Sequence, residues 1–119
     1  MAETGTKRIL VVEDEPIVAL SLQDMLEDLG YAVVGPAFRV AAGLDLAQSE
    51  AIDAAILDVN MAGEDSYEIG RTLRARNIPY LFATGYGRQG LAPGYDDVAV
   101  LQKPYREAQV DALLRAMLG

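Results

Sequence analysis

The sequence predicts a doubly wound α/β domain built on a five-stranded parallel sheet. Short apolar runs recur along the chain: Ile9-Leu10-Val11-Val12, Ala54-Ala55-Ile56-Leu57, Tyr80-Leu81-Phe82-Ala83 and Val98-Ala99-Val100-Leu101. Each has the length of a strand, and each is apolar throughout rather than alternating, as strands covered on both faces are. Segments with helical spacing separate them, the βαβ rhythm that gives a parallel sheet.

The elements follow in order. Residues 8–12 read as the first strand and residues 16–29 as the first helix, with Val18, Leu22, Met25, Leu26 and Leu29 on one face. Pro16 suits a first helical position and Gly30 the residue just past the end. Residues 31–35 form a short second strand that Pro36 ends. Residues 40–49 form a weaker helix, with Val40, Leu44 and Ala47 on one side and Gly43 lowering its propensity. Residues 54–58 are the third strand, and residues 66–76 a helix with Ile69 and Leu73 inward and arginines outward. Pro79 opens the fourth strand, 80–84, and residues 98–102 are the fifth. Residues 106–118 form the last helix on a stripe of Val110, Leu113, Leu114 and Met117. Between the fourth and fifth strands a fourth helix is due, yet four glycines and Pro93 fall in residues 85–97. That helix is expected to be weak or disordered, at most a short turn.

Length and composition narrow the function. A chain of 119 residues is expected to be one domain, with residues 1–6 flexible. Its net charge of −8 disfavours nonspecific contact with nucleic acid or anionic membrane. No cysteine excludes disulfides, thiolate metal sites and a cysteine nucleophile; no histidine excludes a histidine base or phosphohistidine on this chain. The polar start, without a signal-peptide apolar core, makes a cytoplasmic protein the expectation.

The apolar runs end on polar residues: Glu13 and Asp14, Asp58, Thr84, and Lys103 followed by Pro104. In open α/β sheets, ligands bind outside the carboxyl ends of the strands. Crowded carboxylates repel one another and hold their protons more tightly, and a hard divalent cation relieves this. Magnesium takes one or two carboxylates together with carbonyls and waters. Asp14 and Asp58 are the expected direct ligands, the backbone carbonyl of Asn60 a third, and Glu13 a ligand through water. A carboxylate also accepts a phosphoryl group as an acyl phosphate. Lys103 would neutralise one phosphoryl oxygen and the Thr84 hydroxyl would donate to another. A cis Lys103–Pro104 bond would aim the ammonium over the strand tips. Singly, these residues have plainer readings: a cap for the first helix at Glu13-Asp14, a turn former at Asp58, a strand residue at Thr84, a solvated charge at Lys103. Their joint placement at different strand tips favours one site.

The segments Ile9-Leu10-Val11-Val12-Glu13-Asp14-Glu15-Pro16, Leu57-Asp58-Val59-Asn60-Met61, Ala83-Thr84-Gly85 and Lys103-Pro104-Tyr105 resemble the response-regulator receiver domains of two-component signalling. The resemblance covers nearly the whole chain and implies the flavodoxin-like strand order 2-1-3-4-5. It implies that Asp58 accepts phosphate from a sensor histidine kinase or a histidine phosphotransfer protein, with magnesium at Asp14, Asp58 and the Asn60 carbonyl. It also implies signalling roles for Thr84 and Lys103, and a downstream partner whose binding phosphorylation alters. Phe82-Ala83-Thr84-Gly85-Tyr86-Gly87 resembles the narrower FAT-GUY subgroup, often stand-alone regulators whose kinases are often of the HWE type. Two departures stand out, one of them the poor fourth helix between residues 85 and 97. Typical receivers carry a switching aromatic three positions before the lysine, where this chain has Val100.

Other functions compete. A phosphate sink that drains a shared kinase would use the same residues. A magnesium-dependent aspartyl-phosphate phosphohydrolase usually wants an acid two residues after its nucleophile, and Asn60 cannot serve as one. A flavodoxin-like nucleotide binder would find Glu13-Asp14-Glu15 repelling its phosphate. The chain is therefore expected to be a signalling phosphoacceptor and not a conventional enzyme.

Overall fold

The computed structural model describes residues 5–61, 63–95 and 97–118. The principal strands are β1 (Arg8–Val12), β2 (Ala32–Ala37), β3 (Ala54–Asp58), β6 (Tyr80–Thr84) and β7 (Ala99–Gln102). Two short strands, β4 (Asn60–Met61) and β5 (Glu64–Asp65), follow β3. The helices are α1 (Pro16–Asp28), α2 (Val40–Ser49), α3 (Tyr67–Ala75) and α4 (Glu107–Leu118). The main sheet runs β2-β1-β3-β6-β7, parallel at every pairing. Counting only these five strands, this is the expected order 2-1-3-4-5.

Each strand sends successive side chains to opposite faces, so both faces are apolar. Leu10, Val12, Ala55, Leu57 and Phe82 pack with Ala47 of α2 and with Ile69 and Leu73 of α3. Ile9, Val11, Ala54, Ile56, Leu81 and Leu101 pack with Leu22 and Leu26 of α1 and with Val110 and Leu114 of α4. The polar strand ends are left together at one edge.

Local chemistry accounts for the helix limits. Pro16 opens α1, and the flanking Glu15 makes no side-chain cap. Gly30 (φ 94°) closes it, with the Tyr31 amide returning to the Leu26 carbonyl at 3.0 Å. Burial along α1 centres on Ala19, Leu22 and Leu26, while Val18, Met25 and Leu29 are only half-buried. Gly43, a weak point for helix propensity, has a packing reason. A Cβ there would lie 2.9 Å from Ile69 Cδ1 and 3.0 Å from Val12 Cγ2, so glycine lets α2 sit close against α3 and β1.

Pro36 does not end β2, contrary to expectation. The strand continues to Ala37 through a cis Gly35–Pro36 bond, with a register shift opposite Leu10 and Val12. Gly35 takes φ 96°, and a Cβ there would lie 2.8 Å from the Ala37 nitrogen. The continuation matters to the site, because the Ala37 carbonyl accepts the Glu13 amide at 2.9 Å.

Between β6 and β7 there is no α-helix among the described residues, only a 3-10 turn at Gly87–Gly90. An aromatic anchor covers the sheet instead. The Tyr95 ring lies 4.6 Å from that of Tyr67 on α3 and 5.5 Å from that of Phe82 on β6. The Ala92 amide donates to the Tyr67 hydroxyl at 2.7 Å. Residues 1–4, on which most of the expected flexible start falls, lie outside the described residues. No described helix is long and apolar enough to cross a membrane.

Candidate functional site

The carboxyl ends of β1, β3, β6 and β7 converge on an open cleft of about 510 Å³, bordered by Asp14, Asp58, Thr84, Tyr86, Gly90 and Lys103. Glu13, immediately after β1, is fully buried; Asp14 beside it is half-buried. Asp58 closes β3 with 5% of its surface exposed, and Thr84 closes β6 with the same exposure. Lys103 follows β7, its amide donating to the Thr84 carbonyl at 3.0 Å and its peptide to Pro104 being cis.

The expected grouping of these residues is present. Lys103 Nζ stands 3.1 Å from Glu13 Oε1 and 3.2 Å from Asp58 Oδ2. Glu13, Asp14 and Asp58 each offer an oxygen within 4.8 Å of the others. Asn60 opens β4, two residues past Asp58 and paired with Asp65. Thr84 Oγ1 accepts the Tyr86 amide at 3.0 Å, and a Cβ on Gly90 would come within 2.6 Å of it. Only a glycine lets the 3-10 turn rest against that hydroxyl.

Two of the supporting residues carried little signal in the sequence. Ser66, fully buried just before α3, donates its hydroxyl to the Asp58 carbonyl at 2.6 Å, and its amide donates to the Val59 carbonyl at 3.2 Å. It thereby ties down the backbone carrying Asp58, with β4 and β5 pairing between them. Tyr105 donates its hydroxyl to Glu13 Oε1 at 3.0 Å across 92 positions of sequence. It stands in the Lys103-Pro104-Tyr105 segment, but nothing local marks its hydroxyl as bonded to Glu13.

The electrostatics follow from crowding acids in a buried place. Burial, then the hydrogen bond and charge of Glu13, push the Asp58 carboxyl up to about 7, against the opposing pull of Lys103. For Lys103, burial works against the ammonium, yet the charges of Asp58 and Glu13 together outweigh it and raise its pKa. Burial and then Glu13 push the Tyr105 phenol well up, so it stays a protonated donor.

The donor set fits a hard divalent cation. Among the described residues one ammonium pairs with Glu13 and Asp58 while Asp14 adds a third carboxylate beside them, so negative charge is under-compensated, and every candidate ligand atom is oxygen. Such a set favours magnesium over softer metals.

Residues 9–115 match the family model for the response regulator receiver domain. The chain belongs to this family of two-component signalling domains. It is similar to SdrG from Sphingomonas melonis Fr1, with 43% identity and a TM-score of 0.85 over 96% of this chain and 98% of that one. It is similar also to the receiver domain of the sensor histidine kinase PA1611 from Pseudomonas aeruginosa PAO1, with 25% identity and a TM-score of 0.81 over 97% and 99% of the two chains. That structure carries a magnesium ion coordinated in its active site cleft. Among curated proteins, the transcriptional activator protein IrlR of Burkholderia pseudomallei is 36% identical over 117 residues, which are 93% of this chain and 50% of that protein. The chain spans about half the length of the curated relatives it matches.

Proposed function

We propose that Asp58 is a phosphoacceptor, taking a phosphoryl group from a histidine of a sensor kinase or phosphotransfer protein. The observation that carries this reading is the approach of Lys103 Nζ to within 3.2 Å of Asp58 Oδ2, from a different strand end. An Asp58 carboxylate oxygen attacks phosphorus, the N–P bond of the donor phosphohistidine breaks, and the imidazole leaves with the electron pair. Lys103 then pairs with one phosphoryl oxygen. The Thr84 hydroxyl donates to another, since a hydroxyl can accept and donate at once.

Asp14, Asp58 and the Asn60 carbonyl would hold magnesium directly, with Glu13 acting through water. When bound, the ion supplies positive charge that lowers the proton affinity of Asp58 and neutralises phosphoryl oxygen. The magnesium in the PA1611 receiver and the beryllofluoride-activated form of SdrG support this assignment. The segment from Phe82 to Gly87 supports the FAT-GUY subgroup, and with it a donor kinase of the HWE type. Phosphorylation would alter the binding of a downstream protein partner, in place of catalysis on a small substrate.

Incubation with acetyl phosphate and magnesium, read by intact mass, tests the chemistry. The expected result is an 80 Da addition that needs magnesium and is missing in Asp58→Asn, the mass of one phosphoryl group replacing a proton (about 80 Da). An addition that persists in Asp58→Asn would place the phosphoryl group elsewhere and overturn the assignment.

A further inference from the structure

Glu13 is a buried carboxylate, and such a group is costly unless its oxygens receive donors. Its Oε1 receives two: Lys103 Nζ at 3.1 Å and the Tyr105 hydroxyl at 3.0 Å. Its Oε2 receives the more distant Glu15 amide at 3.3 Å. Lys103 also serves Asp58, so one ammonium is divided between two acids. The phosphoacceptor reading requires that ammonium to turn to the new phosphoryl group, which would strip Glu13 Oε1 of one donor while the residue stays buried. Tyr105 is what remains.

We propose that Tyr105 is a positioning residue for the phosphorylated state, its hydroxyl keeping Glu13 partnered when Lys103 is drawn to the phosphoryl group. In the free protein the two donors are redundant, and Lys103 alone satisfies Oε1. In the phosphorylated protein the phenol is, among the described residues, the only side-chain donor left to it. The hydroxyl therefore favours one state over the other, which a simple packing contact does not do. The ring belongs to the core beside α1 and α4, so phenylalanine keeps that packing and removes only the donor.

The proposal rests on the phosphoacceptor reading, and one experiment separates them. Wild type and Tyr105→Phe are titrated first with magnesium alone and then with beryllofluoride in saturating magnesium, both followed by amide chemical shifts. Magnesium binding by the variant is expected to stay within about twofold of wild type, because Lys103 still covers Glu13. Beryllofluoride binding is expected to weaken about tenfold, the scale of leaving a buried acceptor unpaired. Equal beryllofluoride affinity in the two proteins would overturn the role of Tyr105 and leave the function standing. A comparable loss in the magnesium step would also overturn it, marking a general loosening of the site. Failure of wild type to take up beryllofluoride at all would overturn the phosphoacceptor reading itself.

Discussion

At the scale of single residues, the surroundings of Asp58 raise its pKa at a cost to the fold. Its carboxyl titrates at about 7 in the folded chain and at the ordinary 3.8 when unfolded. The folded state therefore binds the proton more tightly. The stability this confers is complete below pH 3.8 and is lost as pH rises through about 7. At pH 8 without magnesium, the charged side chain is a burden on the fold. Asp58→Asn should then be the more stable protein, by at most about 4 kcal/mol for a shift of this size. The gain should shrink as pH falls toward 4 and vanish below pH 3.8, where Asp58 becomes protonated in both states. Urea unfolding of both proteins across pH 4–8 checks this; a gain independent of pH would contradict it. Tyr105 and Ser66 act by a different logic, one donating to the neighbouring Glu13 carboxylate and the other to the Asp58 backbone carbonyl.

At the scale of elements, close packing decides what propensity leaves open. Gly43 lowers the intrinsic helicity of α2, yet its missing side chain lets the helix approach Val12 and Ile69. Val12 is branched and part of β1, an interior strand of the sheet, so it gives way poorly. Gly43→Val should cost about 2 kcal/mol through overpacking, although valine has the better helix propensity. Chemical denaturation reads this directly; a more stable variant would show that the contact relaxes freely. The same rule explains the connection from β6 to β7. Its glycines and proline oppose a helix, and Tyr95 covers Phe82 in the helix's place. The tyrosines are visible in the sequence, but ring contact between residues 67 and 95 is a product of the fold.

At the scale of the whole molecule, the parallel sheet delivers residues from four strand ends to one place. Among the described residues, the resulting negative charge is met by the one ammonium of Lys103. Magnesium binding should therefore stabilise the folded chain as a whole, by about 2.7 kcal/mol at a concentration one hundred times its dissociation constant. Thermal unfolding against magnesium concentration checks this, and Asp14→Asn should flatten the dependence. A wild-type midpoint that ignores magnesium would exclude the carboxylate cluster as a binding site.

The sequence by itself determined the alternation of strands and helices, the strand-end positions of Glu13, Asp14, Asp58, Thr84 and Lys103, and the family to which those segments point. These are local properties, set by hydrophobic period, by glycine and proline placement, and by residues next to one another in the chain. Tertiary structure alone decided the continuation of β2 past Pro36, the closeness of α2 at Gly43, and the small pairing of Asn60–Met61 with Glu64–Asp65. It also decided that Ser66 and Tyr105 serve the acids. Each of these depends on which surfaces meet, and a hydroxyl that bonds a carboxylate 92 positions away has no local pattern to announce it.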